Sequence, residues 1–491
     1  MGRMRPIQHL CWGLGVVCAL GTLPWWAGPA SAAPAASRPN VLFIAIDDLR
    51  NDLGMLGVAH ARTPQLDAFA QTARVFSRHY THVPTCGASR ASLLRGRYPT
   101  ASVELGNNAI RNTQRDWAGQ SIPGWFRQHG YRTLALGKIT HYPGGLTGKD
   151  WAEGPEELAG VWDRGWIPDG PWPTPLAIMH GYADGVARQP GKSPAWEAHD
   201  GPDEAYPDAW VAAEAIAKLQ QLTARKQPWF FGVGFFKPHL PFAAPKRYYD
   251  VHAAGVPDLR PEATAQPAWP SGWHASGELR RNYGHPPGRD PGTDADYARQ
   301  LRRAYAASVS YVDVQVGRVL DALSELGLAE QTIVVVWSDH GFLLGEHAIW
   351  GKHCLYEHAL RSPLMIRHPG LRQPGKTSAA IVETVDLFPT LAELCGLPVP
   401  EGLDGHSLRP QLLDPAVPSA KPAHGFWSNG QRTVRTDRWR LIVQRAQDGG
   451  EPRLELFDYR TDPDETRNHA ADQPGVVREL LDRLGRVPQP D

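Results

Sequence analysis

Asn40-Val-Leu-Phe-Ile-Ala-Ile-Asp-Asp48 is a continuous apolar run that ends in two adjacent acids. Such a run is typical of a strand buried on both faces of a parallel sheet, whose carboxyl end opens at a site. Two neighbouring carboxylates repel each other unless a cation or hydrogen-bond donors neutralise them, and a hard divalent metal is the economical explanation. The alternative is a helix N-cap beside a solvated acid.

Helices and strands alternate along the chain that follows. A helix is expected to begin near Thr63-Pro64, with a capping hydroxyl followed by proline at the first helical position. Three helix–strand pairs come after it, at residues 122–130 with 131–137, 208–222 with 229–236, and 297–326 with 332–337. This alternation predicts an α/β fold with a mostly parallel central sheet flanked by helices.

Two long segments, about 143–206 and 243–295, lose this periodicity and accumulate Pro, Gly and Trp. They are either surface loops packed by their own tryptophans or a rim that faces the substrate. After Gly402, short β-like runs and a helix over Pro474–Leu484 predict a small antiparallel β subdomain with a helix. We therefore expect a catalytic domain over 38–400 and a C-terminal subdomain over 401–491.

Residues 1–32 predict a cleaved signal peptide. They have a basic start at Arg3 and Arg5, an apolar middle, and small residues at Ala30-Ser-Ala32. Pro24 interrupts the apolar run before it reaches the roughly 20 residues that span a bilayer. We expect an exported protein, periplasmic or secreted, with no membrane span in its mature form.

Composition narrows the class of protein. The 491 residues carry 51 Lys and Arg against 51 Asp and Glu, a net charge of zero, which argues against a nucleic-acid partner. Removal of the signal peptide leaves three of the five cysteines, Cys86, Cys354 and Cys395. An odd number excludes a dense disulfide framework and leaves at least one thiol unpaired or chemically used.

Chemistry-bearing side chains follow several of the predicted strands. Because the carboxyl ends of strands in an open α/β sheet converge on one crevice, these side chains are candidates for one site. Ser338-Asp-His-Gly341 comes directly after the strongest predicted strand. We expect an oxygen-rich metal site with one nitrogen, formed by Asp339 and His340 together with Asp47 and Asp48. The alternative is that the Asp-His pair at the strand end only forms local hydrogen bonds.

A second set of loops carries cations and imidazoles, at Lys138, His141, Lys237, His239 and Lys352. Such groups suit a tetrahedral oxyanion such as sulfate or phosphate, whose charge must be balanced without water. Taken one at a time, each is equally well explained as a solvated lysine or a satisfied loop histidine. We expect Lys352 in particular to be exposed, so that its replacement costs activity with little loss of stability.

Val83-Pro-Thr-Cys86-Gly-Ala-Ser-Arg90 places a thiol at the mouth of a predicted helix. A serine-hydrolase interpretation fails because no G-x-S-x-G elbow is present, and the stretch is not a metal-binding C-x-x-C pair. A thiol protease that pairs Cys86 with a histidine stays open on residue types alone, but it gives the acids and cations no purpose.

Cys86-Gly-Ala-Ser89-Arg90-Ala-Ser-Leu-Leu-Arg-Gly96 resembles the C-x-P-S-R signature of the sulfatase family, and within it the iduronate-2-sulfatase branch. Further stretches match that branch in order and approximate spacing, over nearly all of the mature chain. They are Asp47-Asp48, Gly137-Lys138 with His141, Lys237-Pro-His239, Ser338–Gly341, Lys352, and Glu455–Asp458 with Asp462–Glu465 and Asn468. The resemblance implies an alkaline-phosphatase-like sandwich and a sulfuric ester hydrolase that acts on a sulfated sugar, such as a uronic acid 2-sulfate.

The resemblance also implies that a formylglycine-generating enzyme oxidises Cys86 to formylglycine (3-oxoalanine), whose hydrated aldehyde is the nucleophile. The hydrate attacks sulfur through one hydroxyl, and the other later collapses to the aldehyde and expels sulfate. One divalent cation is implied, calcium rather than Mn²⁺ or Zn²⁺, although an imidazole is a less typical calcium ligand. Its implied ligands are Asp47, Asp48, modified Cys86, Asp339 and His340.

The implied roles of the remaining side chains follow from the same resemblance. Arg90 and Lys138 stabilise the hydrate, and Lys138 and Lys352 bind the sulfate. His141 takes a proton from the hydrate, and His239 serves the leaving oxygen as a general acid. The tryptophan-rich segments are expected to line a pocket for sugar rings.

Ala88 departs from the family signature, which has proline at that position. Because alanine contributes no catalytic group, we expect it to alter recognition by the maturation enzyme without changing the active-site chemistry. Two alternatives remain from the sequence: a phosphomonoesterase or phosphodiesterase of the alkaline phosphatase superfamily, and a catalytically silent carbohydrate-binding protein with unmodified Cys86.

Overall fold

The computed structural model describes residues 38–142, 157–267, 273–428, 430–446 and 450–490. Within these ranges the strands are β1 (Asn40–Ile46), β2 (Arg74–Tyr80), β3 (Arg132–Gly137), β4 (Arg164–Trp166), β5 (Trp196–His199), β6 (Trp229–Phe235), β7 (Phe242–Pro245), β8 (Thr332–Ser338), β9 (Leu343–Leu344), β10 (Trp350–Gly351), β11 (Leu364–Arg367), β12 (Thr377–Glu383), β13 (Ala423–Trp427), β14 (Gln431–Arg435), β15 (Trp439–Gln444) and β16 (Arg453–Asp458). The helices are α1 (Pro64–Ala70), α2 (Cys86–Arg95), α3 (Ala109–Thr113), α4 (Ile122–Gln128), α5 (Pro175–Met179), α6 (Pro207–Thr223), α7 (Lys246–Asp250), α8 (Pro261–Thr264), α9 (Gly277–Asn282), α10 (Ala295–Glu325), α11 (Glu357–Leu360), α12 (Leu387–Leu394), α13 (Arg409–Leu413) and α14 (Pro474–Leu484).

The main sheet has eight described strands in the order β12-β2-β11-β8-β1-β6-β3-β4. Five of its strand pairs are parallel, and β11 runs antiparallel to both of its neighbours, β8 and β2. The expected mostly parallel α/β sheet is therefore confirmed. The antiparallel β11 and the short edge strand β4 were not predicted.

β1 is buried along its whole length, as its unbroken apolar sequence predicts. Leu42 and Ile44 point into the core that α1, α6 and α10 cover, whereas Val41 and Phe43 point into the core under α4 and α12. Each face of the strand thus removes apolar surface from water, which stabilises by about 25 cal/mol per Å² of buried area. This two-sided burial fixes β1 in the middle of the sheet.

The C-terminal part contains the predicted antiparallel sheet, in the order β13-β14-β15-β16, and α14 packs on it. Residues 38–491 form one compact unit, and the domain boundary at 400/401 remains a prediction. The predicted signal peptide over 1–32 lies outside the described residues. Among the described helices, none combines the length and apolar character that crossing a bilayer requires.

The two segments without periodicity contribute short elements where they are described, among them α5, β5, α7 and α9. Their tryptophans go mainly to the interior: Trp166 and Trp172 are buried in the main core, and Trp196 stacks on Tyr249. Indole rings bury a large apolar area, which favours this placement. These tryptophans therefore anchor the described parts of the two segments to the rest of the molecule.

Candidate active site

Parallel register brings the strand ends together. Ile46 at the end of β1 pairs with Ser338 at the end of β8, so the acids that follow these strands lie side by side. On the other side of β1, Ile46 pairs with Phe235 of β6, and the end of β3 lies next to β6. Asp48 has a φ of 58°, a left-handed conformation that aspartate tolerates better than most residues, and it turns the chain away from the strand.

α2 brings the thiol to this edge of the sheet. Cys86 is the first residue of the helix and is buried, and its Sγ lies 3.3 Å from His340 Nε2, 3.5 Å from Lys352 Nζ and 3.9 Å from Asp48 Oδ1. Arg90 lies four residues further on, where a helix presents the same face again. The helix thus delivers the thiol and a guanidinium to one cluster.

Arg90 connects the two strand ends and is fully buried. Its Nη2 donates to Asp47 Oδ1 at 3.0 Å, and its Nε donates to Asp339 Oδ2 at 3.0 Å. Ser89, its neighbour, donates through Oγ to the Asp339 carbonyl at 2.5 Å. Burial alone would lower the pKa of Arg90, but the charges of Asp339 and Asp47 raise it. The guanidinium is a permanent cation that holds two carboxylates in place.

Each lysine of the cluster lies closest to one acid. Lys138 Nζ donates to Asp47 Oδ2, and Lys352 Nζ lies 2.8 Å from both carboxylate oxygens of Asp48. Burial would raise the pKa of Asp47, but the charges of Lys138, His239 and Arg90 hold it well below its usual value. The expectation that Lys352 is exposed is wrong: it is only 2% exposed, because its ammonium reaches inward to Asp48.

The Cys86 thiol is poorly suited to act as a nucleophile in its unmodified form. Burial, followed by the negative charge of Asp47, raises its pKa well above the usual value. A catalytic cysteine needs a lowered pKa because the thiolate is the reactive form. This environment argues against the thiol-protease interpretation.

His141 and His239 both face the cluster, but their hydrogen bonds differ. His141 is buried, its Nδ1 has no hydrogen-bond partner among the described residues, and burial holds its pKa well below the usual value. His239 donates from Nδ1 to the Leu240 carbonyl at 2.7 Å, and its Nε2 lies 3.3 Å from Glu278 Oε1. His141 is therefore a neutral imidazole with a free nitrogen, whereas His239 is held between two acceptors.

Lys237 does not join the cations of the site. Its Nζ donates to the carbonyls of His239 and Pro241, at 3.1 and 2.6 Å, and it therefore holds the loop that carries His239. Burial lowers the pKa of Lys237 to about 8. Its expected role in binding an oxyanion is replaced by a structural one.

Glu278 is a site residue that the sequence did not reveal. Its Oε1 lies 3.3 Å from His239 Nε2 and 3.6 Å from Lys352 Nζ, and its Oε2 has no hydrogen-bond partner among the described residues. Burial would raise its pKa, but the charge of Lys352 and the contact with His239 lower it well below the usual value. Glu278 lies on α9, inside a segment without periodicity, where no motif marked it.

The acids fit a divalent cation. Ligand atoms of Asp47, Asp48, Cys86 and His239 lie within 4.8 Å of one another, and so do those of Cys86, Asp339 and His340. Carboxylate oxygens are the ligands that calcium and magnesium prefer. The two groups share Cys86, and together they contain all five ligands implied by the sequence, with His239 as a further member of the first group.

A pocket of about 880 Å³ opens above this cluster, with Cys86, His141, His239 and Lys352 in its lining. Three arginines line it as well, namely Arg111, Arg188 and Arg281. Both segments without periodicity contribute to its wall, which supports the prediction of a rim. Their described tryptophans do not line it, however, and the tryptophan that does is Trp427, from the C-terminal sheet.

Comparison with known proteins gives two family matches. Residues 39–397 match the sulfatase family, and residues 345–488 match the C-terminal domain of N-sulphoglucosamine sulphohydrolase. Among sequence relatives, iduronate 2-sulfatase of Mus musculus is 32% identical over 410 residues, which cover 76% of this chain and 71% of that protein. Choline-sulfatase of Rhizobium meliloti is 28% identical over 481 residues, which cover 90% of this chain and 84% of that protein.

Among solved structures, a phosphonate monoester hydrolase from Silicibacter pomeroyi superposes with a TM-score of 0.71 at 26% identity, covering 92% of this chain and 96% of that one. The expected alkaline-phosphatase-like architecture is thereby confirmed.

Proposed function

The chain belongs to the sulfatase family of hydrolases, and we propose that it removes sulfate from a sulfated sugar, with a uronic acid 2-sulfate as the expected substrate. The observation that carries the proposal is the arrangement around Cys86. Lys138, Lys352 and Arg90 are buried cations within a cluster of three acids, at the floor of a pocket large enough for a sugar. Such preorganised cations stabilise an oxyanion strongly because water is excluded.

We propose that a formylglycine-generating enzyme converts Cys86 to formylglycine. Its support is the match of the stretch around Cys86 to the sulfatase signature, together with a buried environment that keeps the unmodified thiol protonated. When present, the hydrated aldehyde supplies the hydroxyl that attacks sulfur and the second hydroxyl that allows sulfate to leave by carbon–oxygen cleavage. The Ala88 variant of the signature is expected to affect recognition by the maturation enzyme only.

One divalent cation, calcium, is proposed at Asp47, Asp48, modified Cys86, Asp339 and His340. The support is the donor set, three buried carboxylates with one imidazole, within a few ångströms of the position 86 side chain. When bound, the ion lowers the pKa of the nucleophile and neutralises sulfate oxygens.

The chain's own side chains divide the remaining work. Lys138 and Lys352 bind the sulfate oxygens, and Arg90 stabilises charge at position 86. His141, neutral and with a free Nδ1, accepts a proton from the nucleophile's second hydroxyl as sulfate leaves. His239 donates a proton from Nε2 to the sugar oxygen that leaves.

The arginines of the pocket favour an acidic sugar. Arg188 and Arg281 form no ion pair with any described carboxylate, and the Arg111 guanidinium lies 3.7 Å over the Tyr142 ring. Guanidinium groups recognise carboxylates by bidentate hydrogen bonds, so a uronic acid carboxylate would find partners here. The similarity to iduronate 2-sulfatase supports the same substrate.

A phosphoester hydrolase is the second candidate, favoured by the structural likeness to a phosphonate monoester hydrolase. Comparing the turnover of paired sulfate and phosphate esters of one sugar separates the two, and we expect the sulfate ester to be preferred. Export to the periplasm or outside the cell is proposed from the predicted signal peptide alone.

Mass spectrometry of the Cys86 peptide, after expression with a formylglycine-generating enzyme, tests the proposal. We expect an aldehyde at Cys86, whereas Cys354, a buried free cysteine outside the signature, stays a thiol and serves as the internal control. The same sample should release sulfate from a sulfated uronic acid. A fully unmodified Cys86 in an inactive protein would instead indicate the silent carbohydrate-binding protein.

A further inference from the structure

We propose that Trp427 of the C-terminal sheet is a positioning residue for the active site, and that it acts by holding the turn that carries Lys352. The inference rests on the proposed function, because it assumes that Lys352 binds the sulfate group. The proposal gives the C-terminal sheet a role in sulfate binding, in addition to its role in packing against α14.

Trp427 reaches the turn through a stacked ring pair. It is the last residue of β13, and its indole lies on the imidazole of His353 with ring centroids 5.2 Å apart and planes inclined by 18°. His353 directly follows Lys352 in the chain. The stack therefore fixes the residue next to the ammonium that contacts Asp48 and Cys86.

The turn needs such support because its backbone is strained. His353 has a φ of 44°, in the left-handed region that a residue with a side chain rarely adopts. Strained residues persist when the surroundings over-determine them. Here the His353 N–H donates to the Pro84 carbonyl at 3.3 Å, and His274 Nε2 lies 2.9 Å from the Lys352 carbonyl. Among the described residues, two rings contact the His353 side chain. Trp427 stacks on it at 5.2 Å with planes inclined by 18°, and the ring of His274 is tilted by 59° with its centroid 6.1 Å away.

β13 itself is fixed to the segment that leads into Cys86. The N–H of Phe426 donates to the His82 carbonyl at 2.7 Å, and His82 Nδ1 donates to the His424 carbonyl at 3.0 Å. His424 N–H in turn donates to Glu383 at 2.7 Å. One strand therefore contacts both the loop before position 86 and, through Trp427, the turn of Lys352.

The experiment measures binding of inorganic sulfate to the purified, matured enzyme by calorimetry. Inorganic sulfate has no sugar, so a loss of affinity cannot come from a lost contact between Trp427 and a sugar ring. We expect Trp427→Ala to weaken sulfate binding roughly tenfold or more, because small displacements of a binding group have large effects. Trp427→Phe keeps a stacking ring and should bind nearly as the wild type does.

Two controls separate positioning from general stability. Trp439→Ala removes a partly buried indole from β15 of the same sheet, a residue that does not line the pocket, and should leave sulfate affinity unchanged. In a Lys352→Ala background, Trp427→Ala should change the affinity less than about twofold, because two residues that act through one contact are not additive. An equal loss in both backgrounds, or from Trp439→Ala, overturns the proposal.

His353→Asn keeps the inference testable if Trp427→Ala does not fold. Asparagine tolerates a positive φ but removes the stacked ring, so the variant should lose sulfate affinity as Trp427→Ala does. If His353→Asn binds sulfate as tightly as the wild type, the stack does not position Lys352. A wild-type enzyme that neither binds sulfate nor cleaves sulfate esters refutes the proposed function instead.

Discussion

Replacement of Lys352 by methionine should separate its two roles, in sulfate binding and in charge balance. Methionine has a similar length and no charge, so it fills the space of Lys352 but leaves Asp48 without its nearest cation. His340 Nε2 lies 3.5 Å from Asp48 Oδ1, further away than the ammonium at 2.8 Å. Both catalysis and stability should therefore fall.

The expected losses of catalytic rate and of stability have separate causes. Removal of one preorganised oxyanion donor lowers kcat by about 10²–10³-fold. Breaking a buried ion pair by removing one partner costs about 3–5 kcal/mol, because the other charge stays buried. A divalent cation near Asp48 supplies positive charge to the same carboxylate, so the stability loss should be smaller in calcium than in chelator, whereas the activity loss should persist.

The assay is kcat/KM on a sulfated uronic acid, together with thermal unfolding in calcium and in chelator. Lys421→Met is the matched control, since Lys421 pairs with Glu383 at 2.7 Å in a buried network outside the pocket lining. It should be destabilised equally in both conditions. Near-normal turnover of Lys352→Met, or a stability loss that calcium does not change, would refute the reasoning.

Three further expectations follow from the same contacts. Chelation of the divalent cation should abolish turnover and also weaken the binding of inorganic sulfate. The reason is that a cation at the acids releases Lys138 and Lys352 from Asp47 and Asp48. An unchanged sulfate affinity by calorimetry contradicts this coupling. Glu278→Gln should lower kcat on poor sugar leaving groups more than on an activated aryl sulfate, since Glu278 orients His239; an equal loss on both substrates contradicts that role. Burial alone would raise the pKa of Glu346, but the charge of Arg50 lowers it from its ordinary 4.5 to about 2. The resulting stability, about 3 kcal/mol, is present above pH 4.5 and lost as the pH falls through about 2. The stability of Glu346→Gln should therefore lack this pH-dependent loss in acid. If the variant and the wild type show the same dependence of stability on acid pH, Glu346 is not the group responsible.

Sequence could predict the acids of the site because strand ends carry positional information. Asp47 and Asp339 each follow an apolar run, and parallel register then places them side by side without further assumptions. Glu278 has no such context: it reaches the site only because the tertiary structure lays α9 over the pocket. Lys237 shows the opposite failure, since its position in a motif was visible but the direction of its ammonium depends on loop carbonyls that only the fold brings near.

The burial of Lys352 was missed for the same reason as the direction of Lys237, because the sequence does not show which acid the ammonium reaches. Its burial makes Lys352 part of a buried group of paired charges. Three cations lie with three carboxylates under the pocket, with Arg90 between Asp47 and Asp339. A fourth carboxylate, Glu278, lies 3.6 Å from Lys352 Nζ. Buried charges of this kind persist only when they are paired, and each of the three cations has a carboxylate partner before any substrate arrives. The three cations nevertheless differ. Arg90 bridges two carboxylates in a fixed fork and cannot lose its proton, whereas each lysine is a single flexible point charge. The Arg90 guanidinium therefore has a structural role and holds the two carboxylates in place. The ammonium groups of Lys138 and Lys352 are the cations that can exchange a carboxylate for a sulfate oxygen.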